Sequence, residues 1–346
     1  MREFNRHKKH FDVLLVHTGQ LYDFQMSDVF FKDLDIPKPD IHLNIGSASH
    51  AIQTARIMVT FEKVVLKEKP DLVMVVGDVN STVACSLVAS KLNIKVAHVE
   101  AGLRSFDRTM PEEINRIVTD SLSDYLFVTE ENGVKNLKKE GISKDKVHFV
   151  GNVMIDTLIS NMPKINRSKI LKAYSLQPKA YSVLTLHRPS NVDVKEALSE
   201  IFEILEAVTE KIKIVYPIHP RTKKMMRSHG FLKKFEGLSN LIMVEPQGYI
   251  DFIKLIKESR FVLTDSGGIQ EESTMLDVPC LTMRENTERP VTITEGTNVL
   301  VGRSYSKIVR YVNQILAGKS KQGKTPKFWD GKAAQRIAKF FEKASA

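Results

Sequence analysis

The sequence predicts an α/β protein of two halves with mostly parallel sheets, and three observations carry that prediction. Short β-branched runs alternate with amphipathic helical stretches along nearly the whole chain, the order that βαβ units produce. Runs such as Leu72-Val73-Met74-Val75-Val76 are apolar on both faces, as strands covered by helices on each side must be. The length of 346 residues accommodates two domains of ordinary size, ~100–200 residues each.

In chain order, strands are expected near 12–18, 71–77, 95–100, 125–129, 147–150, 181–187, 213–218, 241–245, 260–265 and 279–283. The clearest helices are 49–68, 80–92, 111–123, 131–140, 193–211, 248–259 and 304–317. In the first of these, Ile52, Ala55, Ile57, Val59, Phe61, Val64 and Val65 form a broad apolar stripe. Between Asp156 and Gln177 the strand rhythm breaks, and Asn161-Met162-Pro163, Asn166-Arg167-Ser168 and Gln177-Pro178 read as turns. The domain boundary is therefore expected there. Ligands of open α/β sheets bind beyond the carboxyl ends of strands, so the crevice between the halves is the expected site.

Composition excludes several other classes. With 42% hydrophobic and 27% charged residues the chain is neither disordered nor fibrous. No apolar run approaches the roughly 20 residues of a membrane-spanning helix. The basic N-terminus has no long apolar core and no small-residue cleavage site, so no export signal is read. Cys85 and Cys280 alone supply neither a disulfide framework nor a Cys-rich zinc site, and a cytoplasmic location is expected. The net charge of +10 is compatible with a phosphate-bearing ligand or nucleic acid. Its lysines are scattered over helix faces without a basic block or aromatic platform, which argues against nucleic acid.

The carboxyl ends of the strands are unusually polar. In the second half, Thr264-Asp265-Ser266-Gly267-Gly268 runs from a strand into a helix, leaving backbone N–H groups at the positive end of a helix dipole. A diphosphate fits there, with Ser266 adding a hydroxyl and Gly267 and Gly268 letting the anion approach the backbone. Glu272, one turn on, suits the hydroxyls of a ribose. The competing structural reading makes Ser266 or Asp265 an ordinary N-cap. His187-Arg188 ends another strand and His219 a third, forming an expected phosphate-facing group. In the first half, Asp78, Glu100 and Glu112 stand at successive element ends, and sheet geometry can bring the three carboxylates to one rim. Asp78 has a structural alternative as helix N-cap, and Glu112 as a charge favoured by the helix dipole. His98 and Glu100, two apart on one strand, lack a further histidine at ligand spacing, so no metal and no other cofactor is expected.

At these residues the sequence resembles the non-hydrolysing UDP-N-acetylglucosamine 2-epimerases. The resemblance rests on His17-Thr18-Gly19-Gln20, Gly77-Asp78, His98-Val99-Glu100-Ala101-Gly102-Leu103-Arg104, Met110-Pro111-Glu112-Glu113-Ile114-Asn115-Arg116, Leu186-His187-Arg188, the 264–272 segment and Thr287-Glu288-Arg289-Pro290. It implies two Rossmann-like domains facing across a cleft, as in GT-B glycosyltransferases: residues 1–160 completed by a C-terminal helix at 330–346, and 161–329 binding UDP. It also implies a homodimer, and inversion at C2 of a UDP-sugar substrate, by elimination of UDP and re-addition, for surface polysaccharide. Asp78, Glu100 and Glu112 then resemble the acid and base carboxylates, and His187 the catalytic histidine near the diphosphate. Ser266, Gly267 and Gly268 resemble the diphosphate cradle, Glu272 the ribose ligand and Arg289 a further UDP contact, with Arg188 and His219 on the same rim. Gln20 resembles part of an allosteric or second site, although Leu21 departs from the family's His-Thr-Gly-Gln-His-Tyr-Asp pattern. A second departure is the lack of an opening strand and Gly-x-Arg-Pro-x-x-Ile-Lys loop; weak activity and a gap or free edge in the first sheet are expected from it. The alternatives are a 2-epimerase of a modified sugar, such as a 2,3-diacetamido uronic acid, and a non-catalytic nucleotide-sugar-binding protein.

Overall fold

A computed structural model describes residues 2–7, 9–19 and 33–344; Gln20 and Leu21 lie outside the described residues. The chain divides into two compact units, one of residues 1–157 with 327–346 and one of residues 158–326. Both are α/β.

In the first unit, β3 (Leu72–Val76), β4 (Lys95–Ala101), β5 (Tyr125–Val128) and β6 (Val147–Phe149) form a parallel sheet in that order. Helices Asn80–Lys91, Pro111–Leu122 and Glu131–Lys139 make the crossovers. The strands are apolar because they are covered: Val96, Ala97, Leu126, Phe127 and Val128 have no exposed surface. The strand expected over 12–18 is only Val16–His17 (β1), paired in parallel with Ile41–His42 (β2) in a separate two-stranded sheet. Residues of β1 and β2 nevertheless pack on the same apolar cluster as Val73 and Val75 of β3.

The broad stripe expected on the His50–Glu68 helix is narrower in the structure. Ile57, Phe61 and Val65 are buried, whereas Ile52, Val59 and Leu66 are 50%, 59% and 57% exposed. A spacing of four keeps one row of side chains on the core, and residues seven apart form a second row on another face.

The turn chemistry read at 161–163 is overridden. A helix over Val153–Arg167 contains Pro163 in its interior, and Asn161 is buried. Proline forfeits one backbone hydrogen bond there, a cost of ~3 kcal/mol that burial along the rest of the helix offsets.

The C-terminal segment packs on the first unit's sheet. Phe340 and Phe341 of the Ala333–Ala344 helix stack edge-on against Tyr125 and Phe127, with ring centroids 5.3–5.5 Å apart. The buried Trp329 donates its indole N–H to the Thr129 carbonyl at 3.1 Å, and the Asp156 carboxylate accepts the amides of Ala333 and Ala334 at 3.1 and 2.7 Å. Asp156 thereby serves as a capping anion for that helix.

The second unit is a six-stranded parallel sheet in the order β12-β11-β10-β7-β8-β9, comprising Asn298–Leu300, Cys280–Thr282, Val262–Thr264, Tyr181–Thr185, Lys213–Pro217 and Leu241–Val244. Its order reverses between β7 and β10, which neighbour each other at the centre. Two crossovers diverge there, so the loops after β7 and β10 leave a crevice at the carboxyl end. His187 follows β7 and Asp265 follows β10, which places both at that switch point.

Gly151 has φ +89°, and a Cβ built on it meets the Phe328 carbonyl oxygen at 2.0 Å. Gly151→Ala is expected to destabilise the protein by at least ~2 kcal/mol through this clash and the left-handed backbone, read as a lower Tm. An unchanged Tm contradicts the role given to this contact.

Candidate active site

In the second unit the polar residues converge on one buried carboxylate. Asp265 is fully buried and accepts the backbone amides of His187 (3.1 Å) and Arg188 (2.9 Å) and the Asn191 carboxamide (3.0 Å). It also lies 2.9 Å from Nδ1 of His187. Burial raises the proton affinity of Asp265, but the His187 contact and the three donors outweigh it and hold the carboxyl below its ordinary range. Nδ1 of His187 therefore carries a proton for Asp265, leaving Nε2 as the ring's other functional atom on a side chain 45% exposed.

Because Asp265 is committed to the β7 end, it does not cap the following helix, Gly267–Met275. Ser266 is that helix's N-cap residue and makes no side-chain capping bond. The structural alternative of an ordinary side-chain cap is thus not realised, and the first-turn amides are left to a ligand or solvent. Arg289 borders this helix start: a Cβ added at Gly267 meets its guanidinium at 2.6 Å. Arg289 is itself held by Glu271 at 2.8 Å and Glu288 at 2.5 Å, and Arg284 reaches Glu288 at 2.9 Å. Arg188 stands 4.0 Å from the same Glu288 carboxylate. Burial opposes a charge on Glu288, but the two arginines beside it hold it well below the carboxylate range.

Glu272, on the same helix, is buried, and burial pushes its pKa up to about 7, slightly offset by the Tyr249 hydroxyl facing it. His219 occupies the N-cap of the Pro220–Ser228 helix, where Nδ1 accepts the Arg221 amide at 3.2 Å. Desolvation of its ring, nearby His187 and Arg221 keep His219 below the ordinary imidazole pKa.

In the first unit, Asp78 follows β3 and Glu100 lies near the carboxyl end of the neighbouring β4, where Val76 pairs with Val99. Asp78 is not the N-cap of the next helix; Val79 is. Instead its carboxylate receives Arg116 at 2.5 Å, and its backbone carbonyl receives Asn115 at 2.9 Å. Arg116 lies one helical turn beyond Glu112, so the helix that presents Glu112 also grips Asp78. Glu100 sits at a register shift in β4 with φ +78°, and its carboxylate approaches Gly77, where a Cβ would lie 3.6 Å away. A non-glycine residue held left-handed at a strand end is a strained arrangement typical of functional sites. The bulge also breaks the alternation that would put His98 and Glu100 on one face.

His98 is wholly buried between two acceptors, with Nδ1 2.6 Å from Asp120 and Nε2 2.9 Å from the Gly77 carbonyl. Both nitrogens must then donate. Burial alone would strip the ring of its charge, but Asp120 and the Gly77 carbonyl raise its pKa, and His98 is an imidazolium that ties the Asp78 turn to β4. Asp120 also accepts the Gly102 amide at 3.1 Å and Arg104 at 2.7 Å.

Sequence reading missed Asp265 as the partner of His187; it gave Glu113 and Arg116 no role beyond membership of a motif, and missed Asp120 altogether. The signal for the last three was present: Glu113, Arg116 and Asp120 are spaced to share one face of a helix whose core side they occupy.

Two α/β units with parallel sheets, each with polar residues gathered at strand ends, place the chain in the GT-B-like class. The family model for UDP-N-acetylglucosamine 2-epimerase matches residues 2–342. The UDP-N-acetylglucosamine 2-epimerase of Methanocaldococcus jannaschii is 44% identical over 339 residues, 96% of this chain and 92% of that protein. Its crystal structure in complex with UDP-GlcNAc and UDP superposes with a TM-score of 0.91, covering 97% of this chain and 93% of that one. The Pseudomonas aeruginosa UDP-2,3-diacetamido-2,3-dideoxy-D-glucuronate 2-epimerase is 40% identical, over 95% of this chain and 91% of that protein. The chain belongs to the UDP-N-acetylglucosamine 2-epimerase family and is an isomerase.

Glu272 generates a pH prediction. Its folded-state pKa of about 7 lies above the ordinary 4.5, so the folded protein holds a proton that the unfolded chain releases. This contribution to stability is full below the unfolded pKa and is lost as pH rises to about 7, ~3 kcal/mol in all. Glu272→Gln should abolish that loss, so its Tm should gain on the wild type between pH 5 and 7.5. Parallel Tm profiles would show that Glu272 ionises normally.

Proposed function

We propose that the chain interconverts UDP-GlcNAc and UDP-ManNAc without hydrolysis. C2 of the sugar is not next to a carbonyl, so its proton is far too weakly acidic for a carboxylate to remove directly. Cleavage of C1–O acidifies it. In the first half-reaction a carboxylate takes the C2 proton, the C–H electrons form the C1=C2 bond of a glycal, and UDP leaves with the C1–O electron pair. In the second, the UDP oxygen attacks C1 and a second carboxylate returns a proton to C2 from the opposite face.

Asp78, Glu100 and Glu112 are assigned to the proton transfers. His187, with Nε2 aimed outward, is assigned to the leaving diphosphate, where Arg188 and Arg289 add charge and the 266–268 amides form the cradle. Glu272 is assigned to the ribose, and His219 offers Nε2 on the same rim. The observation that carries this reading is the commitment of Asp265 to His187, which leaves the adjoining helix start uncapped for an anion. In this reading the product is an activated ManNAc, to be consumed by glycosyl transfer into surface polysaccharide.

Incubation with UDP-GlcNAc in D2O, followed by NMR of the sugars, should show deuterium at C2 of both epimers. Turnover of the 2,3-diacetamido uronate alone would favour the alternative substrate, and binding of UDP without any product would reduce the chain to a binding protein.

A homodimer is part of this reading. The exposed row of Ile52, Val59 and Leu66, flanked by Arg56, Glu62 and Lys63, is suited to antiparallel pairing with the same helix of a second copy. Val59→Glu should convert the protein from dimer to monomer in light scattering. A dimer that survives both Val59→Glu and Leu66→Glu would remove this face from the interface.

A further inference from the structure

We propose that Phe106 is a sugar-contacting residue whose exposed ring packs against the apolar C–H face of the pyranose and retains the glycal between the two half-reactions; this rests on the epimerase reading above. Phe106 lies in the loop between β4 and the Pro111–Leu122 helix, and its 76% exposure is the largest among the exposed large hydrophobic residues described. Its backbone is left-handed, with φ +59°, a conformation that bulky side chains rarely adopt. A left-handed backbone and an outward aromatic ring each oppose stability, so the conformation persists only because its surroundings enforce it.

The enforcing group is Glu113. Its carboxylate, 1% exposed, accepts the Phe106 amide at 3.0 Å through one oxygen. Through the other it accepts the Ser105 amide at 2.9 Å and the Ser105 hydroxyl at 3.0 Å. Arg116 neutralises that second oxygen at 2.7 and 3.1 Å, and its remaining nitrogen holds Asp78 at 2.5 Å. Burial opposes the charge on Glu113, but the Ser105 amide, Arg116 and the Phe106 amide outweigh it, so the clamp stays ionised at neutral pH. On the far side of the loop Asp107 accepts the Thr109 amide at 3.0 Å and its hydroxyl at 2.6 Å. One hydrogen-bonded chain therefore fixes both the outward Phe106 and the Asp78 carboxylate, two groups that would otherwise be set independently.

The chemistry explains what the ring is for. Once C1–O is broken, the sugar is no longer tethered to the diphosphate, and none of the contacts in the second unit's anion cradle retains it. A hexose presents hydroxyls around its rim and C–H groups on its faces, and an aromatic ring covers such a face while excluding water from the reactive double bond.

Phe106→Gly and Phe106→Tyr, made in the full chain, test this. Glycine accepts the left-handed backbone, so the Gly variant should keep or raise the wild-type Tm. Its UDP affinity, by calorimetry, should stay within about twofold, since the nucleotide does not touch the ring. Its KM for the UDP-sugar should rise, and free UDP plus glycal released per epimerisation should increase, each by about tenfold, the size of one aromatic contact. Tyr should restore both to within about threefold. The proposal is overturned if the Gly variant of an active protein shows unchanged KM and release, if UDP affinity falls in step with KM, or if the variant becomes monomeric. A wild-type protein without epimerisation would instead remove the function on which the proposal rests, and the proposal with it.

Discussion

The arrangement of the second unit depends on one buried carboxylate. Asp265 follows the central strand β10 and is claimed by the neighbouring strand end, so a group that could have capped a helix orients an imidazole instead. Two consequences follow from that commitment. His187 is fixed in one tautomer with its second nitrogen outward, and the Gly267–Met275 helix begins without a side-chain acceptor over its first amides. An imidazole and an amide cluster facing the same space suit a group that becomes more negative as a bond breaks. The strong pairing of Glu288 with Arg284 and Arg289 supports this, because arginines already held by carboxylates can face an anion without rearrangement.

The first unit solves a different problem by the same means. The Asp78 carboxylate and the Gly77 turn beside Glu100 are held by buried donors. Arg116 and the His98 imidazolium supply the positive charge, each buried and each bound to more than one acceptor. Glu100 adds a strained backbone to this balance, and the bulge that strains it also turns it out of the regular alternation of β4. Cost and arrangement are linked here: a regular strand would be more stable and would present the carboxylate elsewhere.

Much of this was legible in the sequence, for identifiable reasons. Strand ends carry polar residues where a ligand is handled, so Asp78, Glu100, His187 and the 264–268 segment stood out against apolar runs. Helix periodicity located the long helices closely, as over His50–Glu68 and Tyr305–Leu316. Pairing between distant residues was not legible, because nothing local says that Asp265 meets His187 or that Asp120 meets His98. Pro163 misled because a proline signals a turn by local sterics, while tertiary burial kept the helix intact. The short first strand and the narrow stripe on the His50–Glu68 helix were misjudged for a related reason: apolar content does not say which side chains find a partner.

The central claim is that Asp265 acts through His187 rather than by binding the nucleotide, and Asp265→Asn tests it most directly. The carboxamide fills the same volume but presents an N–H to a ring nitrogen that needs an acceptor. The account predicts that kcat falls by at least about a hundredfold while the Kd for UDP stays within about threefold, because the amide cradle and arginines are untouched. An unchanged kcat, or a loss of UDP affinity as large as the loss of kcat, would contradict it.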